Sequence, residues 1–335
     1  MTWLTWRQFR TQAWVAVAVL AALALVFGIT GIQLHHLAYA SGYPGCITAA
    51  GLCHNFISAA NANGVYPFLY TAGLMLLYVA PALIGIFWGA PLLARDLETG
   101  SHRLLWTQSI SRTRWLTVKL LLVGAASMIT AGLLSLIVTW WSAPIDAVGG
   151  LQMGAFRLDP LQFGSRGIAP IGYAALAFTL GAAIGLLTRR TLPAMAITFA
   201  VFLAIQIITP IWIRPHFQAP VTTTIAITTP KINIEITGDQ QMRALAQQSP
   251  LGAWILSDED VDSTGKIIYL RATDACLQSS PDACTAYVLG LHVSEKLTYQ
   301  PAERFWRFQT YETGIFLLAS LGLIGFSSWR VRRIN

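Results

Sequence analysis

Charge is what this sequence lacks. Only 11% of its 335 residues are Asp, Glu, Lys or Arg, against about a quarter in a soluble domain. None occurs from Thr11 to Ala94, nor in 120–145, 167–188, 191–213 or 313–329. Each of these stretches is apolar and close to, or longer than, the ~20 residues a helix needs to cross the hydrocarbon of a bilayer. The first is long enough for two crossings, split by a polar, Gly-rich middle at 41–64. Six spans follow, at about 13–33, 66–93, 118–142, 168–188, 191–213 and 310–329. A soluble globular protein is excluded, and the first span is too long for the apolar core of a cleaved leader.

Nucleotide and catalytic motifs are missing too. No G-x-x-x-x-G-K-[ST] occurs, and the one Gly-Lys pair, Gly265–Lys266, is followed by Ile. Neither H-E-x-x-H nor G-x-S-x-G is present. No metal site is expected: His54 adjoins Cys53, but no Cys-x-x-Cys or paired-His spacing follows, and His35 and His36 sit at the end of the first span. The spans are also read as free of buried acids, bases and acid–base pairs, which leaves ion coupling through such groups unsupported.

The charges that remain are sorted. With six spans and both termini on one side, that side carries twelve basic and two acidic residues, a net +10. The other carries ten basic and thirteen acidic residues, a net −3. Short basic connections lie in the cytoplasm, so both termini are expected there, in the plasma membrane. Because this positive charge flanks spans, it does not indicate nucleic acid. All four cysteines, Cys46, Cys53, Cys276 and Cys284, then fall outside, where disulfides form. Two local pairs are expected, Cys46–Cys53 and Cys276–Cys284.

Residues 2–11 (TWLTWRQFRT) set Trp3, Trp6 and Phe9 beside Arg7 and Arg10, which suits an interfacial helix. The fold class expected is an all-α polytopic membrane protein with an N-terminal interfacial helix and six transmembrane helices. A mixed, partly β extracellular insert is expected between spans five and six. Residues 1–213 form the membrane domain, 214–308 the extracellular domain, and 309–335 the sixth span with a basic cytoplasmic tail. Within the insert, β-branched runs at 221–229, 232–237 and 266–271 read as strands. Asp258–Gly265 reads as the turn of a hairpin; its Asp258, Asp260, Asp262 spacing resembles a calcium loop, but the twelfth position is Tyr269 and not Glu. Residues 300–309 read as a second interfacial helix leading into the last span.

One charged loop of length remains on the cytoplasmic side, within 94–119: ARDLETGSHRLLWTQSISRTRWLTVK. Its Arg95, Asp96, Glu98, Gly100, Ser101, Arg103, Leu104–Leu105, Ser111–Arg112 and Lys119 resemble the coupling loop of the permease subunits of type-2 ATP-binding-cassette exporters. The likeness is closest to actinobacterial members, with the opening MTWLTWRQFRTQ and the segment QPAERFWRFQTYETG before a basic tail. The resemblance implies a coupling loop at 94–117 that docks onto an ATPase through Arg95, Asp96, Glu98, Gly100, Ser101 and Arg103. It implies a non-catalytic permease that binds no cofactor itself. ATP and Mg belong to two copies of a separate nucleotide-binding subunit, and a second permease copy completes a homodimer. Phe68, Tyr70, Tyr78, Phe87, Phe199 and Phe202 are the candidate pathway for an amphipathic or hydrophobic cargo (drug, antibiotic or lipid). The alternative is a membrane-embedded lipid-modifying enzyme or a ligand sensor with an extracellular domain. Against the enzyme, the outer acids lack a His or Ser partner at catalytic spacing; against the sensor, no cytoplasmic output domain is present.

Overall fold

The computed structural model describes residues 2–43, 45, 53–100, 111–148, 156–228, 232–236, 241–246, 252–273, 276 and 281–333. Six helices among them are long and apolar enough to cross a membrane. The chain divides into two compact units: Met1–Arg214 with Phe305–Asn335, and Pro215–Arg304.

In the helical unit, α1 (Thr2–Ala40) is one helix of 39 residues, about 58 Å long at 1.5 Å per residue. The separate interfacial helix expected at 2–11 is not formed. No Pro occurs in this helix and its first Gly is Gly28, so nothing breaks the chain after Thr11, and the Trp- and Arg-rich segment becomes the first turns of the span. After α2 (His54–Ala62), Gly64 at φ +65° supplies the left-handed turn from which α3 (Val65–Ile84) starts. A π-helical segment, Gly85–Gly89, and α4 (Ala90–Glu98) complete the second span. The Ser111 side chain accepts from the Arg114 N–H (3.4 Å) and caps α5 (Arg112–Ala147). A single turn, α6 (Pro160–Phe163), precedes α7 (Ala169–Thr188). Arg189, left-handed at φ 55°, turns the chain straight into α8 (Thr191–Ile208). A second π-helical segment, Thr209–Ile213, extends that span. With α9 (Pro281–Gly290) in the other unit, α10 (Phe305–Arg332) is the sixth span. It too is continuous, so the interfacial helix expected at 300–309 is absent: Gln300 ends a strand and Phe305 already begins the span.

The fourth span is the hub, with most of its residues buried. Its small side chains make this possible, since close approach replaces the hydrophobic effect as the packing force between helices in lipid. Two glycine pairs at i, i+4 interlock there. A Cβ on Gly89 would lie 2.4 Å from Phe178 O, on Gly181 2.4 Å from Gly85 O, and on Gly185 2.4 Å from Ala90 O. The second and fourth spans thus touch backbone to backbone, beside the π-helical turn. Side chains from other helices reach carbonyls of the second span: Gln12 Nε2 donates to Phe87 O in the π-helical turn (3.1 Å) and Gln206 Nε2 to Tyr78 O in α3 (2.9 Å).

The second unit holds two three-stranded antiparallel sheets. In one, β1 (Val221–Ala226) and β4 (Trp254–Val261) flank β6 (Ser294–Gln300). In the other, β2 (Ile232–Ile236) and β5 (Leu270–Arg271) flank β3 (Gln241–Ala246). Met242, Ala244, Leu270, Cys284, Val288 and Val293 form its core, and a Cys276–Cys284 disulfide fastens α9 to it. The expected hairpin turn is displaced. Asp258 and Asp260 belong to β4, and the turn starts at Asp262, whose Oδ1 accepts from the N–H groups of Thr264 (2.8 Å) and Lys266 (3.0 Å). Of the run at 266–271, only Leu270–Arg271 is a strand, with a single bridge from Ile267 to Val261.

Asp260 opposes Glu295 on β6, and burial pushes its carboxyl up to about 6, against the Ala244 N–H that favours the charged form. A folded-state value above the unfolded one means this group favours folding below about pH 4. It loses that contribution as pH rises to about 6. Asp260→Asn is therefore expected to stabilise the unit at pH 7 by roughly 1–2 kcal/mol, discounted for solvent screening, and by nothing at pH 4. Urea unfolding of the detergent-solubilised chain at both pH values tests it; an equal shift at both would show that Asp260 does not titrate there.

Candidate functional site

The charged end of the second span is built by periodicity. In α4, Leu93, Ala94 and Asp96 face inward while Arg95 and Glu98 face outward. Asp96 and Lys119 are both buried, and Lys119 Nζ lies 2.5 Å from Asp96 Oδ2 and 3.4 Å from Leu92 O. The ammonium also sits 5.3 Å from the Trp115 ring centroid. This pair fixes the second span to the start of the third. Glu98 reaches in another direction: its Oε2 accepts from Thr191 N–H (3.0 Å) and Thr191 Oγ1 (2.7 Å). Arg190, at the cap position of α8, makes no side-chain cap bond, so Glu98 of a different span supplies the acceptor and an anion at a helix N-terminus. Gly100, at φ +72°, then turns the chain out of α4. Ser101, Arg103, Leu104, Leu105 and Trp106 lie outside the described residues.

At the opposite end of the helices lie two further buried ion pairs. Arg166 Nε donates to Asp146 Oδ2 (2.8 Å), and the same carboxylate accepts from Tyr70 Oη (2.8 Å) and Ser142 Oγ (2.8 Å). Arg214 holds Glu312 in a fork, Nε–Oε2 2.9 Å and Nη2–Oε1 3.0 Å, and Tyr173 Oη adds a third bond (2.8 Å). Arg214 Nη1 and Tyr78 Oη both donate to Pro160 O. Gln309 completes the layer, accepting from the N–H groups of Ile168 (3.0 Å) and Ala169 (2.7 Å) and donating to Phe163 O (3.0 Å). The expectation of spans without buried charge is thus corrected: Lys119 lies within the third span and Glu312 within the sixth, each paired. Sorting charges by side of the membrane counted both as loop residues. The one signal available was position, since Arg214 and Glu312 border uncharged runs on either side of the long insert.

The six aromatic pathway residues are not gathered into one cavity of this chain. Phe202 is buried against Tyr173, ring centroids 6.2 Å apart. Tyr70 and Tyr78 spend their hydroxyls in the polar layer. Phe68, Phe87 and Phe199 are 70%, 51% and 47% exposed on helix surfaces. Cys53 is disulfide-bonded, while Cys46 lies outside the described residues. Among the described residues, no cluster of three or more His, Cys, Asp or Glu is placed to hold a metal ion.

A family model described as ABC-2 membrane transporter related matches residues 17–214. The chain belongs to this family. The match takes in the first span from residue 17, the next four spans, and both ends of the Asp96–Lys119 and Glu98–Thr191 links; the 215–304 unit and α10 lie beyond it. No curated protein and no solved structure matches the chain. The ABC-2 chain is a multi-pass membrane protein, the permease type of component in ATP-binding-cassette transport.

Proposed function

We propose that this ABC-2 chain is the permease of an exporter that moves an amphipathic or hydrophobic compound outward, driven by separate ATPase subunits. One observation carries the proposal beyond family membership. The short helix α4 is tied at once to the third span through Asp96–Lys119 and to the fifth through Glu98–Thr191. A force on the 94–106 segment is then shared by three spans instead of bending one loop, which is what a motor pushing on a membrane domain requires. In this proposal the basic ends and the 94–117 loop face the cytoplasm, and 214–308 is outside with its disulfide. Two permease copies meet two ATPase subunits, which bind ATP and Mg. The pathway runs between copies, where the exposed Phe68, Phe87 and Phe199 are available to apolar cargo.

The test is Glu98→Ala in the chain co-expressed with its ATPase. Export of a fluorescent amphiphile is expected to fall about five-fold or more, the scale of one lost helix cap, with membrane insertion and ATP binding unchanged. Export at the wild-type rate would remove Glu98 from coupling. An ATPase whose turnover is the same with and without this chain would overturn the permease reading.

A further inference from the structure

A cleft of about 470 Å³ opens between the first turns of α1, the end of the second span and the start of α5. Arg7, Phe9 and Gln12 line one wall, Trp88 and Arg95 the other, and Lys119 lies at its base. Its charge is unbalanced. Lys119 is neutralised by Asp96, but Arg7 and Arg95 are exposed and form no ion pair among the described residues. Arg7 is 5.4 Å from the Trp3 ring centroid, a contact that leaves its guanidinium N–H groups available. Beside these cations the lining is mixed: Gln8, Gln12, Asp96 and Thr99 alternate with Pro91, Leu92 and the half-buried Trp88, whose ring packs edge-to-face on the buried Phe9 at 5.0 Å.

The height of the cleft along the helices is fixed by sequence. Arg7 and Arg10 directly precede, and Arg95 directly follows, the charge-free run from Thr11 to Ala94. Trp3 and Trp6, 67% and 47% exposed, flank Arg7 at that level, where indole rings settle at headgroups. We propose that this cleft binds one acidic phospholipid, its phosphate between Arg7 and Arg95 and its acyl chain against Trp88 and Leu92. A soluble phosphate compound would satisfy the two guanidinium groups equally, but the charge-free run from Thr11 to Ala94 sets them at the edge of the hydrocarbon, where phospholipid headgroups lie, so the lipid is the ligand of choice. Its occupancy would bridge the first and second spans at the end that carries α4.

Native mass spectrometry tests this on the full-length chain, released from nanodiscs of phosphatidylcholine with a minor share of phosphatidylglycerol. One phosphatidylglycerol per chain is expected to survive release. In Arg7→Gln/Arg95→Gln, retention should fall about 25-fold, from two cationic contacts of about five-fold each. Arg7→Lys/Arg95→Lys should keep most of it, and because the Lys variant preserves charge, its folding and binding separate a lost ligand from a lost fold. Arg114→Gln/Arg332→Gln, on basic residues outside the cleft, should retain the lipid. Three results would overturn the proposal: unchanged retention in the Gln pair, equal loss in the control pair, or displacement of the lipid by millimolar inorganic phosphate.

Discussion

Gly181→Val is expected to drive the second and fourth spans apart and to destabilise the helical unit more than any other single apolar change. The added Cβ would meet Gly85 O at 2.4 Å and Ala90 N at 2.7 Å. Both are backbone atoms, so no side-chain rotation relieves the clash. Gly89 and Gly185 meet backbone oxygens at the same 2.4 Å, which means the seam cannot yield at one point without opening at the others. Overpacking in a rigid core costs roughly 1–3 kcal/mol; a backbone-to-backbone seam belongs at the upper end, and Gly181→Ala should already show part of the loss. Gly28 and Gly322, where an added Cβ would meet nothing within 4 Å, should accept Ala with little change. Thermal inactivation followed by size-exclusion chromatography in detergent ranks the four variants. A Gly181→Val chain as stable as Gly28→Ala would refute the backbone contact.

Breaking the Arg214–Glu312 pair should rival that effect. Both side chains are almost fully buried, and removing one leaves the other charged without a partner in a closed site. That situation costs roughly 3–5 kcal/mol. Arg214→Met and Glu312→Gln are each expected to lower folded yield sharply, whereas the double variant should recover a large part, because no unpaired charge remains. Glu312→Gln retains an acceptor for Tyr173 Oη, so its defect isolates the charge from the hydroxyl bond. Additive losses in the double variant would show that the two groups act independently.

The six spans were legible because uncharged length is a direct consequence of the hydrocarbon thickness. Strands β1 and β2 were legible from β-branched runs, and the Cys276–Cys284 bridge from its short spacing. Other features were hidden for physical reasons. The strand β3 carries Arg243 in its middle, and β6 buries Glu295 and Gln300 beside Leu297, so neither shows an apolar face. The continuity of α1 and α10 was obscured because aromatic-and-basic segments suit an interface and a helix end equally well. In the candidate site, the charge pattern marked Asp96, Glu98 and Lys119, but not that Glu98 caps the fifth span, a contact 93 residues away in sequence. Nor could pairing of Arg214 with Glu312 across 98 residues be found from either neighbourhood alone.

That last pair has a consequence for how such a chain can change over time. The Pro215–Arg304 unit leaves the helices just after Arg214 and rejoins them at Phe305, two turns before Glu312. The ends of the insertion are therefore held by a bond that belongs to the helices and not to the insertion itself. A gene can lengthen, shorten or exchange the inserted piece while its attachment points stay in register. The inserted unit is free to diversify, and the six-helix scaffold need not follow.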